Sequence, residues 1–328
     1  MTKVNIISGF LGAGKTTFIK KLIEEVFTGE QLVLIENEFG EIGIDGGFLK
    51  DAGVEITEMN SGCICCTLVG DFSKALKEVL EQYKPDRIII EPSGVGKLSD
   101  VVKAIEGIAE QTDIVIDGKI AVVDGKKAKM YMKNFGEFYN NQVEHASTIV
   151  VSRTQMMTDE QIEACVHLLR EKNEKAAIIT TPWDELKKEA ILRAFEQDKE
   201  ITDLIHEHHH EHHHDHGEEC TCGCHDHDHE HHEHHHADEV FTSWGKETAH
   251  KYSEEELDFL LKALSETESY GIILRAKGII QMADGTWKQF DMVPGEYETR
   301  EGQADYTGRL CVIGTNLKEE ELKKLFHI

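Results

Sequence analysis

A chain of 328 residues is too long for one average domain and suits about two. It carries 62 Asp and Glu against 35 Lys and Arg, a formal charge of −27, which disfavours free nucleic acid and anionic membranes as partners and makes cations its natural ligands. Hydrophobic residues at 40% supply material for packed cores, yet there is no apolar run long enough to span a bilayer and no leader pattern at the start, so the expectation is a soluble cytoplasmic protein.

The first element is an apolar run, Val4 to Ser8, that feeds the stretch GFLGAGKTT, Gly9 to Thr17. Gly9, Gly14, Lys15 and Thr16 occupy the fixed positions of G-x-x-x-x-G-K-[ST], and the helix-like segment Phe18 to Ile23 follows, so the strand, loop and helix that this motif needs are in place. Gly9, Gly12 and Gly14 let the backbone turn its N–H groups toward phosphate oxygens, with Ala13 and Thr17 inside the same cradle. Lys15 supplies charge for the β- and γ-phosphates of a nucleotide, and the Thr16 hydroxyl is placed to hold Mg²⁺.

A second apolar run, Leu32 to Ile35, ends in the acid- and Gly-rich stretch Glu36 to Asp45, the position of a loop that senses a γ-phosphate. After a short strand pattern at Val54 to Thr57 come Cys63, Cys65 and Cys66, three thiols suited to a borderline-soft cation such as Zn²⁺. Adjacent cysteines cannot all point one way, and Glu36 and Glu41 are the candidates for a further ligand. A helix pattern from Leu68 to Tyr83 precedes Arg87 to Glu91, a buried-strand pattern ending in an acid, with Gly94 just beyond. Glu91 is placed to approach Mg²⁺, and the Gly94 N–H to reach the γ-phosphate. Further strand patterns at Lys119 to Asp124, Thr148 to Ser152 and Ala176 to Thr180, with helical spacing in Asp159 to Leu169 and Glu185 to Phe195, indicate a mostly parallel sheet covered on both faces.

The segment from His206 to His236 holds 16 His, 3 Cys and 9 Asp or Glu and no core-forming side chain, so it is expected to be disordered without metal. Cys220, Cys222, Cys224 and His225 form a soft pocket at its centre, and its imidazoles suit Zn, Ni, Cu or Co. Beyond it, Ser253-Glu254-Glu255-Glu256 matches a capping box. Strand patterns at Gly271 to Gly278, Thr286 to Asp291 and Arg309 to Gly314 and a last helix from Leu317 to Phe326 complete a smaller α+β unit, in which no catalytic constellation is legible.

Taken in order, GFLGAGKTT, ENEFGEIGID, GCICC, IIIEPSG and a C-terminal RAKG with a Trp-bearing strand resemble the CobW-like family of P-loop GTPases. The resemblance implies GTP hydrolysis coupled to delivery of a transition metal held at Cys63, Cys65 and Cys66, with Lys15 and Thr16 as phosphate and Mg²⁺ residues and Glu91 as the Walker B-type acid. One departure bears on the base. Where the family carries N/T-K-x-D, this chain has Ser152-Arg153-Thr154-Gln155, and the Gln155 carboxamide cannot accept two guanine hydrogen bonds as a carboxylate does. Arg153 can still stack on a base, so GTP, ATP or lax specificity remain open.

The expected architecture is therefore a P-loop NTPase domain over residues 1–200, a metal-binding linker over 201–238 and an α+β domain over 239–328. Lys15, Thr16, Glu91 and Glu41 are the candidate catalytic residues. The expected ligands are GTP, Mg²⁺ and Zn²⁺, with Co²⁺ or Ni²⁺ as alternatives. The expected partner is a metal-requiring client protein, with a homodimer as one possible assembly. The alternative is a metal buffer with a slow or regulatory nucleotide domain; a small-molecule kinase lacks a visible acceptor site.

Overall fold

The computed structural model describes residues 1–36, 55–58, 69–195, 240–302 and 307–328. The first sheet is built from β1 (Thr2–Gly9), β2 (Leu32–Glu36), β3 (Glu55–Glu58), β4 (Arg87–Glu91), β5 (Ile114–Asp124), β6 (Thr148–Ser152) and β7 (Ala177–Ile179). All pairings are parallel, in the order β3-β2-β4-β1-β5-β6-β7. Parallel neighbours need crossover connections, and helices supply them: α1 (Lys15–Lys21), α2 (Val69–Tyr83), α3 (Leu98–Ala109), α4 (Ala128–Asn134), α5 (Gly136–Glu144) and α6 (Asp159–Lys172). α1 runs on into a π-helical turn at Leu22–Val26, and a further helical segment spans residues 188–195.

The strand interiors are apolar on both faces because helices cover both. Val4, Ile6, Ile88 and Ile90 face a core closed by α3, α5 and α6, while Ile7, Leu34, Ile89, Val122 and Val150 face one closed by α1 and the 188–195 segment. The mostly parallel, doubly covered sheet expected from the sequence is thus present, with two differences. β5 begins at Ile114 rather than Lys119, and α3, α4 and α5 lie where no helix was legible. α4 and α5 are short and flanked by Gly136, and α5 mixes Asn140, Asn141 and Gln142 into its apolar face, which blurs the periodicity.

The second sheet comprises β8 (Thr242–Thr248), β9 (Lys251–Tyr252), β10 (Ile272–Met282), β11 (Trp287–Val293), β12 (Glu296–Glu301) and β13 (Gly308–Thr315). Its order is β12-β11-β10-β13-β8, antiparallel throughout, with β9 parallel to β10. Helices α7 (Glu254–Glu266) and α8 (Glu319–Leu325) accompany it. Ser253 caps α7, its hydroxyl accepting from Glu256 N while Glu256 returns a bond to Ser253 N, the capping box expected there.

Period-2 alternation along β10 and β13 splits this sheet between two cores. Ile273, Ala276, Ile280, Leu310 and Val312 join Leu257, Leu261 and Phe326 on the helix-covered face. Leu274, Ile279, Cys311 and Ile313 join the core of the first sheet instead. Phe241 anchors that junction. Its ring lies 5.0 Å from Phe138 and 6.3 Å from Phe10, the residue that follows the first glycine of the phosphate loop. The two sheets are therefore packed on each other through one hydrophobic cluster that reaches the back of that loop.

Candidate nucleotide and metal site

β1 ends at Gly9, and the chain turns through Phe10 to Ala13 into α1. Gly9, Gly12 and Gly14 hold φ of +147°, +69° and +97°, a region that L side chains avoid. Gly14 is the N-cap of α1, with no acid in the first turn, so the opening N–H groups face a cradle with no carboxylate of their own to fill it. The cradle is closed on its outer side by Trp183, whose Cη2 would stand 3.1 Å from a Cβ at Gly14 and whose ring packs 5.5 Å from Phe18.

Lys15 is buried, and its ammonium lies 3.7 Å from Glu91, the last residue of β4. Strand register sets Glu36 of β2 beside Glu91, so the carboxyl ends of adjacent strands bring two acids together next to the phosphate loop. Glu36 is itself 95% buried, at 5% exposure. The turn after Glu91 packs on the loop as well: a Cβ at Gly94 would stand 3.1 Å from Leu11 N. Gln142 of α5 holds that turn, its amide donating to the carbonyls of Gly94 and Gly96 at 3.2 and 2.8 Å. Sequence reading missed Gln142; nothing in a lone Gln on a short helix distinguishes it.

At the end of β6, Ser152 donates to the Ala13 carbonyl at 2.7 Å, tying that strand to the phosphate loop. Arg153 adopts φ +64° and pairs with Asp124 at 3.1 Å. Asp124 is buried and accepts from the backbone N–H groups of Lys126 and Lys127. Thr154 is buried, and of Ser152, Arg153 and Thr154 only Arg153 lines the cleft described next.

That cleft holds about 580 Å³. One wall is Gly12, Gly14, Lys15, Thr16, Thr17 and Lys20 with Arg153 at the end; the other is Arg275, Asp291, Val293, Glu296, Tyr297, Glu298 and Arg300 of the second sheet. Glu296 reaches across it, paired with Arg153 and lying 3.5 and 3.8 Å from Lys126 and Lys127. Burial lowers Lys127 to about 8, with Asp124 opposing the shift. The smaller unit therefore contributes half of the site, although its sequence showed no functional constellation. Only packing of one sheet on the other makes these residues neighbours.

Glu41, Cys63, Cys65, Cys66, Cys220, Cys222, Cys224 and His225 lie outside the described residues. Of the candidate transition-metal ligands, Glu36 lies among the described residues, beside Glu91 at the strand ends. The two described cysteines, Cys165 and Cys311, are buried and form no disulfide; burial pushes Cys165 up to about 11, the behaviour of a packing residue rather than a ligand.

A glycine-built loop between β1 and α1, a buried lysine and an acid on the neighbouring strand define a P-loop nucleotide-binding protein of the α/β class. The profile described as CobW/HypB/UreG, nucleotide-binding domain, matches residues 3–180, and that of the cobalamin synthesis protein cobW C-terminal domain matches residues 241–327. The chain belongs to this CobW/HypB/UreG family. It is 33% identical to the zinc chaperone YeiR of Escherichia coli K12 over half of each chain. It is 41% identical to the zinc chaperone CobW of a Sinorhizobium species over 36% of this chain and 35% of that one. The chain thus spans about half or less of the length of these curated relatives. The crystal structure of Zn(II)-bound YjiA GTPase from E. coli covers 99% of this chain and 98% of its own at 23% identity, with a TM-score of 0.45.

Proposed function

We propose that this protein is a nucleoside triphosphatase that couples hydrolysis to the binding and release of a transition metal, Zn²⁺ foremost and Co²⁺ or Ni²⁺ as alternatives, for delivery to a metal-requiring client in the cytoplasm. The observation that carries it is the shared strand edge: Lys15 pairs with Glu91, and Glu91 stands beside Glu36, which leads directly into the stretch toward Cys63, Cys65 and Cys66. A change at the γ-phosphate is felt by Lys15 and by the Glu91 turn, and Glu36 is the next residue on that edge to respond. The names of relatives support the reading, among them a zinc-regulated GTPase metalloprotein activator from Schizosaccharomyces pombe.

In this scheme Gly9, Gly12, Ala13, Gly14, Lys15, Thr16 and Thr17 hold the phosphates. Thr16 and Glu91 would hold Mg²⁺, which supplies charge to the β- and γ-oxygens when bound. The glycine cradle fits the phosphates because its open N–H groups, which bind anions, have no carboxylate in the first helical turn. Gly94 offers an N–H toward the γ-phosphate, Glu41 is the proposed residue at the attacking water, and Arg153 stacks on the base. Residues 1–200 form the nucleotide unit, 201–238 the metal-gathering linker and 239–328 the unit that closes the cleft.

Zinc affinity of the full chain, titrated by competition against a chromogenic chelator in GTP and in GDP, tests the coupling. The expected result is one site whose affinity differs at least tenfold between the two nucleotides and which vanishes in the Cys63→Ser, Cys65→Ser, Cys66→Ser chain. Equal affinity in both nucleotides, with phosphate release indifferent to Zn²⁺, Co²⁺ and Ni²⁺, leaves the metal-buffer reading, which the 16 histidines between His206 and His236 favour. GTP and ATP turnover measured side by side decides the base preference left open by Gln155.

A further inference from the structure

The helix-covered face of the second sheet carries a group of side chains that the nucleotide cleft does not use. His250, in the turn between β8 and β9, Glu256, in the first turn of α7, and His327, just beyond α8, each bring one ligand atom to within 4.8 Å of the other two. The His250 Nε2 atom lies 3.7 Å from Glu256 Oε1, is shielded from solvent and has no hydrogen-bond partner among the described residues. Such an orphaned ring nitrogen costs free energy unless something binds it.

Each of the three is held in place by a separate device. The His250 N–H donates to Thr248 Oγ1 at 3.1 Å, and its ring stands edge-on to Tyr252 at 4.6 Å. Glu256 uses Oε2 to accept from Ser253 N at 2.7 Å in the capping box, which leaves Oε1 directed at the imidazole. The Tyr252 hydroxyl donates to the Phe326 carbonyl at 2.7 Å, fixing the residue before His327. His327 then takes φ +57°, and its ring lies 28° from parallel to His250, with centroids 4.6 Å apart. His250 and Glu256, close in sequence, meet His327 from the far end of the unit, and among the described residues none of the three pairs with a Lys or Arg.

We propose that His250, Glu256 and His327 form a binding site for a divalent transition metal, with Zn²⁺ the best-matched ion. Two imidazoles and one carboxylate are a donor set for zinc, cobalt or nickel; Mg²⁺ and Ca²⁺ prefer all-oxygen shells, and Cu⁺ prefers sulfur. Bonds of about 2.1 Å in a tetrahedron set ligand atoms about 3.4 Å apart. The present spread closes to that by rotating Glu256 and His327, both exposed, toward His250. With three protein ligands the fourth position falls to water or to an incoming donor, so the ion exchanges rather than being locked in. None of the three residues lines the nucleotide cleft. The proposal therefore stands apart from the nucleotide-coupled site and does not rest on it.

The test uses the full chain. Crystals exposed to Zn²⁺ and measured at the zinc absorption edge are expected to show an anomalous peak among His250, Glu256 and His327. That peak is lost in His327→Asn, which keeps a residue tolerant of positive φ, and weakened in Glu256→Gln, which keeps the capping box. In solution, Zn²⁺ joins His327 to the β8–β9 turn, so amide exchange over residues 322–328 is expected to slow at least tenfold in the wild type and to be unchanged in His327→Asn. Exchange read locally is insensitive to metal bound elsewhere in the chain. Zinc at other sites with no peak here, a peak that survives in His327→Asn, or exchange that Zn²⁺ leaves unaltered would each overturn the assignment.

Discussion

The Lys15 ammonium stands 3.7 Å from the Glu91 carboxylate, joining the first residue of α1 to the last residue of β4. Both are shielded, at 5% and 15% side-chain exposure, so the charge proposed to receive a phosphate is already oriented by a partner rather than free to swing. Lys15→Ala is expected to lower phosphate release by about 100- to 1000-fold, the usual cost of removing one preorganised electrostatic contact to a transition state. Glu91→Gln is expected to retain nucleotide binding and lose most turnover. Equal turnover in Glu91→Gln and wild type, measured over a Mg²⁺ titration, would remove Glu91 from the metal-holding role.

Glu296 closes the Arg153 end of the cleft by pairing with Arg153 beside Lys126 and Lys127. A base that stacks on Arg153 competes with this carboxylate. Glu296→Gln is expected to tighten nucleotide binding about two- to fivefold, in line with about 0.5–1 kcal/mol for a partly exposed pair. Fluorescent-nucleotide titration at low and high salt reads this directly, and the gap between variant and wild type should narrow as salt rises. Weaker binding in the variant would mean that Glu296 supports the bound state instead of opposing it.

Gly14 combines φ +97° with the Trp183 ring edge 3.1 Å from where a Cβ would sit. Gly14→Ala is therefore expected to cost about 1–3 kcal/mol of stability from the backbone conformation. Nucleotide binding should fall with it, because relief of the strain moves the N–H groups that open α1. Adding Trp183→Leu relieves the steric part alone. If the double variant regains full nucleotide affinity in a binding titration, the ring contact and not the dihedral angle is what Gly14 protects.

Lys127 titrates near 8 because its burial outweighs the attraction of Asp124. Its ordinary value is 10.5, so between about 8 and 10.5 the unfolded chain binds a proton that the folded chain has released. The stability contribution of this residue thus rises with pH across that window and is flat below it. Lys127→Met is expected to be the more stable protein at pH 7, and its advantage should shrink from pH 8 to 10.5. Denaturant unfolding of both proteins at several pH values gives the difference, and an advantage that stays constant would place the titration elsewhere.

Local chemistry made much of this protein readable from its residues alone. The spacing from Gly9 to Thr16, the apolar runs that end at Glu36 and Glu91, and the capping box at Ser253 depend on a few consecutive positions, and backbone geometry converts such spacing directly into a loop, a strand end or a helix start. The short helices α4 and α5 were not readable, because polar residues on α5 hide its period and tertiary packing holds them in place.

What only the folded chain decided is which distant parts meet. Period-2 alternation in β10 and β13 shows that both faces of the second sheet are apolar, but not that one of them lies against the nucleotide unit. That choice is made by the shared core around Phe10, Phe138 and Phe241, with Glu296 pairing across to Arg153, and it brings Arg275, Glu296 and Arg300 to the phosphate loop. The same holds for His327, which the fold brings to His250 and Glu256 from the far end of the second unit. Burial of apolar area is non-directional and sums over many residues, so no single segment encodes the partner it selects.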